Sequence, residues 1–280
     1  MKDRRTDHLE SLKPYGTSDL TYETYLKIRD ILGMQVHQSS PEHHDELLFI
    51  VIHQTYELWF KLVLHELDKA KELLQNKNLL SANHFMKRVV EIFRLLVPQI
   101  HILETMTPQD FLEFRTRLGP ASGFQSLQFR EIEFVSGLKD ERYFQFLKNI
   151  EDAETRLRKR LNEPDLPTVY LEMLKGMGFK LPDNVTRAHL IDNDADMEKV
   201  IQALRPIYKQ PYDNLELYIL TESLVDFDQY LGLWRDHHVR VVERIIGMKM
   251  GTGGSSGNQY LRSTTSKQCF PFLWRVRSSL

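Results

Sequence analysis

The 280-residue chain has one cysteine, Cys269. A single thiol cannot close an internal disulfide, so a disulfide-stapled secreted fold is unsupported. The N-terminus MKDRRTDHLE also lacks the apolar stretch of a signal peptide. No run of about 18 to 20 residues is both apolar and free of charge, as a bilayer-crossing helix would need. Charge of one sign is missing too: 37 Lys+Arg stand against 39 Asp+Glu, leaving −2. That balance disfavours non-specific nucleic-acid binding, which rests on a clustered positive surface. Thirteen glycines and eleven prolines are few for this length, which favours helix over strand. The expectation is a cytoplasmic protein with a core large enough to need no metal or disulfide staple.

What the chain does have is helical periodicity. Residues 1–18 carry charge, Pro14 and Gly16 without a period and read as a mobile arm. A helix is expected from Thr21 to Gly33, capped by Asp19 or Ser18, with Tyr22, Tyr25, Leu26, Ile28 and Leu32 as its apolar set. Ser40 as N-cap and Pro41 in the first turn should open a helix running to Gln75, about 50 Å long at 1.5 Å per residue. Its near-continuous apolar surface between Leu47 and Leu64 marks a central helix packed on several sides. Ser81 should cap the next helix, reaching Met106 with a kink at Pro98. Thr107-Pro108-Gln109-Asp110 reads as a capping box with proline in the first turn, opening a short helix that stops at Gly119-Pro120.

After a loop at Ala121-Ser122-Gly123, another helix should span Phe124 to Ser136. Residues 139–212 are charge-rich and punctuated by turn signals, and are expected to form peripheral short helices. A second long helix is expected from Asp213 to Ile246, ended by Gly247. Residues 248–260 then form a glycine-rich stretch, and no segment shows a strand alternation. The reading is a single all-α domain over 1–280, a helical bundle with long central helices and an added layer of short ones.

Three polar residues stand where apolar ones are expected, which costs free energy unless each is paired. His53 shares a helix face with Phe49, Tyr56 and Phe60. It is either a core histidine satisfied by a neighbour or a contact for a ligand lying on those aromatics. Arg115 rises beside Phe111 and Phe114, and its fork suits a carboxylate, of the protein or of a substrate. His238 lines up with Leu231, Trp234, Val242 and Ile245, whereas His237 falls with Arg240, Val241 and Arg244. No HxxxH or CxxC spacing supports zinc. An inward histidine is either a satisfied core residue or the one protein ligand of a haem, whose porphyrin supplies four donors. His43, His44, His65 and His84 read as solvated helix positions. GTGGSSG at 251–257 lacks the lysine and strand of a phosphate loop and is either a linker or a lid bearing Thr252.

Three motifs together carry a resemblance: FIVIHQTYELWFK at 49–61, MTPQDFLEFRTRLGPASGFQSLQFREIEF at 106–134 and WRDHHVRVVERIIGMKMGTGGSSG at 234–257. In this order they closely resemble the tryptophan 2,3-dioxygenases, and the similarity extends from LTYETYLKIRDIL at 20–32 to the C-terminal FPFLWRVRSSL. The resemblance implies a homotetramer, a dimer of dimers, with one haem b per subunit. Its reaction would open the indole C2–C3 bond of L-tryptophan with O2, giving N-formyl-L-kynurenine at the head of the kynurenine pathway. A non-enzymatic haem-binding sensor is the alternative.

By the same resemblance His238 is the axial haem ligand and His53 the histidine that meets the indole N–H. The segment Phe49, Ile50, Val51, Ile52 and His53 would line the substrate pocket. Arg115 would pair with the substrate carboxylate and Thr252 would contact the amino-acid end, while Tyr22 and Tyr25 would reach the pocket of an adjacent subunit. Three positions depart from the pattern. Phe111 stands where some bacterial members have tyrosine, so packing replaces a hydroxyl contact. His237 adjoins the ligand where another residue is common, and Met250 stands where a basic one is.

Overall fold

The computed structural model describes residues 18–247, 249 and 258–280. Among these residues there is no strand, and the all-α expectation holds. The chain divides into two compact units, one ending at Val36 and one spanning His37–Leu280, where sequence reading expects a single domain. The first unit contains α1 (Tyr22–Leu26) and α2 (Ile28–Leu32). The single helix expected here is broken because Lys27 adopts φ 54°, ψ 40° in the left-handed region. Its cap is Thr21, neither Ser18 nor Asp19: the Thr21 hydroxyl accepts the Thr24 N–H and the Thr24 hydroxyl accepts the Thr21 N–H.

The second unit is organised by α3 (His44–Gln75), α4 (Leu79–Gln99) and, later in the chain, the 32-residue helix Leu215–Ile246. Between them lie α5 (Pro108–Leu118), α6 (Leu127–Val135), α7 (Ala153–Asn162), α8 (Leu166–Gly176), α9 (Arg187–Asp192) and α10 (Asp194–Lys209). The long C-terminal helix is thus α11, followed by α12 (Asn258–Thr265) and α13 (Pro271–Arg277). α4 packs along both α3 and α11. Ile52, Tyr56, Phe60, Val63, Leu67, Ala70 and Leu74 of α3 recur every three to four residues and are buried in the core.

Several boundaries move from their expected places because polar neighbours compete for the same backbone N–H groups. α3 begins at His44 with His43 as its cap, not at Ser40-Pro41. The preceding loop is held out of the helix by the fully buried Glu46, whose carboxylate accepts the Gln38 N–H at 2.7 Å, the Ser39 N–H at 3.0 Å and the Ser39 hydroxyl. Asn78, not Ser81, caps α4 by accepting the Ser81 N–H. Beyond Pro98, which lacks an N–H, the chain tightens into a 3-10 turn over Ile100–Thr105 instead of continuing as α-helix to Met106. The helix expected from Phe124 starts at Leu127 after a 3-10 turn, capped by Ser126. Within 139–212, α8 is not peripheral: Leu166–Leu171, Met173 and Leu174 are buried, and the Tyr170 hydroxyl meets that of Thr221 at 2.7 Å.

α3 is less enclosed than its sequence implies. By length and composition it could cross a membrane, yet one side is built into the core and its most apolar window is only 28% buried. Leu47, Val51 and Leu58 form an exposed stripe at spacings of four and seven.

Glu46 supplies a test of how the start of α3 is held. Burial disfavours its charge, but the Ser39 hydroxyl and the N–H groups of Gln38 and Ser39 outweigh that and hold it below the ordinary 4.5. Its contribution is therefore complete above pH 4.5 and is lost as pH falls through the lower folded value. Glu46→Gln should lower stability in urea by about 1.5 to 3 kcal/mol at pH 7 and by progressively less in acid. A pH-independent loss would show that the carboxylate charge is not what holds residues 38–43.

Candidate functional site

The site starts from two residues one turn apart on α3. The rings of Phe49 and His53 lie 4.1 Å apart, and His53 Nδ1 is 2.7 Å from the Phe49 carbonyl oxygen. A carbonyl can only accept, so Nδ1 carries the proton and Nε2 keeps its lone pair. α5 closes over this face, with the rings of Phe111 and Phe114 at 5.6 and 5.8 Å from Phe49. Arg115, half-buried, follows Phe114 directly and stands one turn after Phe111.

α5 is placed by its own sequence and by one long-range tie. Thr107 and Asp110 form the expected capping box, with Pro108 in the first turn. His43 Nε2 then meets a carboxylate oxygen of Glu113 at 2.9 Å, and its ring lies 5.6 Å from that of Phe114. His43 is therefore a half-buried link between α3 and α5 and not a solvated position. Glu57, one turn beyond His53, is tied to α6: its carboxylate accepts the Ser126 hydroxyl at 2.5 Å and the Gln128 amide at 2.8 Å.

α11 contributes His238, whose ring stacks on Trp234 with centroids 5.3 Å apart and planes 9° apart. Burial pushes the His238 imidazole down to about 4, and the charges of His53 and Arg130 act in the same direction. Burial likewise draws His53 below 6.5, against the opposing pull of the Phe49 carbonyl and Glu57. His53 nevertheless keeps exposed surface and His238 partial exposure. Both side chains thus present surface to solvent while protein atoms crowd them on their other sides. Both imidazoles are neutral at pH 7 and lie within reach of each other's charge.

Behind His238 lies a buried triad that the sequence reading missed. Arg130 pairs with Glu133 at 2.7 Å, and Glu133 also accepts from Arg235 at 2.8 Å. The Arg130 guanidinium covers the rings of Phe129 and Tyr143 at 4.8 and 4.3 Å. The three-residue spacing of Arg130 and Glu133 was its only local signal. His237, expected on the charged side, is half-buried with its ring 4.9 Å from His101. Val241, assigned to the same side, is 2% exposed, so α11 is covered on more than one face.

The other expected site residues separate. Ile52 is buried in the core, Ile50 is half-buried, and Val51 is exposed on the side of α3 opposite Phe49. Phe49 and His53, four residues apart, share one face of α3, and Ile50, Val51 and Ile52 lie off that face. Tyr22 and Tyr25 are exposed on α1. Thr252 and Met250 lie outside the described residues, as does most of the glycine-rich stretch 248–260.

The donor set fits haem. Among the described residues no group of three His, Cys, Asp or Glu is arranged to hold a metal ion. A neutral imidazole on an aromatic wall instead suits a metal whose other donors arrive with a macrocycle. An open cleft of about 460 Å³ elsewhere, lined by Lys61, Leu64, Gln128, Glu131, Arg156, Lys159 and Arg160, is no rival. Its arginines are already paired, Arg156 with Glu131 and Arg160 with Asp68.

Comparison with known proteins agrees with this geometry. The family model described as tryptophan 2,3-dioxygenase matches residues 8–189 and 192–280. A tryptophan 2,3-dioxygenase of a Nocardioides species is 47% identical over 280 residues, 98% of this chain and 100% of the relative. That of Herpetosiphon aurantiacus is 44% identical over 261 residues, 93% of this chain and 98% of the relative. That of Myxococcus xanthus is 39% identical over 273 residues, 96% and 94% of the two chains. With such similarity over nearly its whole length, the chain belongs to the tryptophan 2,3-dioxygenase family.

Proposed function

We infer that the protein cleaves the indole C2–C3 bond of L-tryptophan with O2, giving N-formyl-L-kynurenine with both oxygen atoms retained. The observation that carries the reading is the aromatic wall of Phe49, Phe111 and Phe114 beside His53, whose Nδ1 bond to the Phe49 carbonyl leaves Nε2 to accept, with His238 of α11 close enough to feel its charge. Haem b, one per subunit and held by His238, supplies the activation of O2 when bound.

The chain's own residues supply binding and orientation. The rings of Phe49, Phe111 and Phe114 form a wall for the flat indole and keep water from it. His53 Nε2 accepts the indole N–H and fixes which edge of the ring faces the haem. An indole N–H is a very weak acid and the depressed His53 a weak base, so His53 positions the substrate and is not an obligatory base. Arg115 clamps the carboxylate through its planar fork, and Thr252 meets the amino-acid end. A haem sensor would need neither the carboxylate clamp nor the indole wall.

The assembly follows from uncovered apolar surface. Tyr22, Tyr25 and Leu32 of the first unit and Leu47, Val51 and Leu58 of α3 are exposed in the single chain. Exposed apolar surface of this kind, on each unit taken by itself, marks a subunit interface. The assembly is a cytoplasmic homotetramer, a dimer of dimers, in which Tyr22 and Tyr25 complete the pocket of a neighbouring subunit.

Haem-loaded protein given L-tryptophan under 18O2 should release N-formyl-L-kynurenine carrying two labelled oxygens. A Soret band that shifts with tryptophan but yields no product would favour the sensor. His53→Ala should lower kcat/KM roughly 2- to 12-fold, the loss of one hydrogen bond of about 0.5 to 1.5 kcal/mol, and complete inactivity with full haem would instead assign it a required proton transfer. Because protonation would remove the Nε2 acceptor and burial lowers the His53 value, kcat/KM should fall in acid with a midpoint below pH 6.5. A decline already complete by pH 7.5 contradicts the lowered His53 value.

Arg115→Ala should reduce tryptophan use by about 10- to 100-fold with haem content unchanged, and Arg115→Lys should recover little. Tryptamine, lacking the carboxylate, should be a correspondingly poor substrate of the native protein; equal rates on tryptamine and tryptophan would remove the clamp. Deleting residues 1–33 should damage both assembly and activity, so a fully active monomer would refute the shared pocket.

A further inference from the structure

Trp234 stands four residues before His238 and nearly parallel to it, in the offset-stacked range of aromatic pairs. Its other contacts come from two different helices. Phe129 of α6 lies 4.8 Å from the indole, and Tyr56 and Phe60 of α3 lie at 6.0 and 6.1 Å, the latter two edge-on. The indole is 8% exposed. In a close-packed interior such a ring cannot turn without displacing all three neighbours. On one helix the four-residue spacing sets the Trp234 face against His238, so the fixed indole plane is passed to the imidazole.

We propose that Trp234 is a positioning residue that sets the plane of the His238 ring toward the haem. This rests on the reading of His238 as the axial ligand. A histidine bonded to a metal through one nitrogen retains rotation about that bond unless a neighbour restricts it, and outer partners of metal ligands fix that orientation. Here the restriction comes from a wedged aromatic face. Tyr56 and Phe60 belong to the helix that carries His53, so α3 holds the substrate-facing histidine directly and the haem-facing one through Trp234.

The test uses haem-loaded, ferrous protein and the iron–histidine stretching band in resonance Raman spectra, together with the rate of haem transfer to an apoglobin acceptor. Trp234→Leu should broaden and shift the band and speed haem loss by roughly 10-fold or more. Trp234→Phe, which keeps a smaller stacking face, should lie between it and the native protein. His238→Ala separates the two readings. If that variant keeps the band, the ligand assignment fails whatever Trp234 does. If it loses the band while Trp234→Leu and Trp234→Phe match the native band and haem-loss rate, the ligand stands and the positioning role of Trp234 is overturned. Should Trp234→Leu not fold, Trp234→Phe decides alone, and a native band and rate in it overturn the proposal.

Discussion

The Nδ1–H of His53 donates to the Phe49 carbonyl one turn back along α3, and this bond decides which ring nitrogen is left to accept. An acceptor for the indole N–H exists only while that proton stays on Nδ1 and no second proton joins it. Desolvation secures the second condition by disfavouring the charged ring. The four-residue spacing within α3 secures the first, on a helix that packs along α4 and is tied to α6 where Glu57 accepts from Ser126 and Gln128.

The same economy governs His238. Burial is the main cause that holds the His238 imidazole low, and the charges of His53 and of the buried Arg130, itself paired with Glu133, which also pairs with Arg235, add to it. Such a triad is costly to desolvate, and breaking it by removing one partner would leave an uncompensated buried charge. α3, α6 and α11 meet at Trp234, so the packing that forms the core also orients the two histidines.

Much of this was legible in the sequence because it is local. The Gln75 end of α3, the capping box at Thr107 and the stop at Gly247 follow from chemistry within four residues. A 100° period was enough to set His53 beside Phe49, Arg115 beside Phe111 and His238 in phase with Trp234. What was not legible is tertiary. The choice of His43 over Ser40 as cap depends on Glu46 gathering the preceding loop, and the break at Lys27 on a single left-handed residue. The link from His43 to Glu113 crosses 70 residues of chain, and the wedging of Trp234 draws on two further helices. Family resemblance assigned five consecutive residues of α3 to one pocket, but helix geometry turns Val51 away and sinks Ile52 in the core.

The central claim is that His53 presents a neutral ring with Nε2 as acceptor. Long-range 1H–15N correlation of the imidazole nitrogens, with His53→Gln used to assign the signals, reads that state directly. At pH 7 the His53 ring should show a protonated Nδ1 and an unprotonated Nε2, with a titration midpoint below pH 6.5. A spectrum with the proton on Nε2, or with both nitrogens protonated at pH 7, would contradict the account.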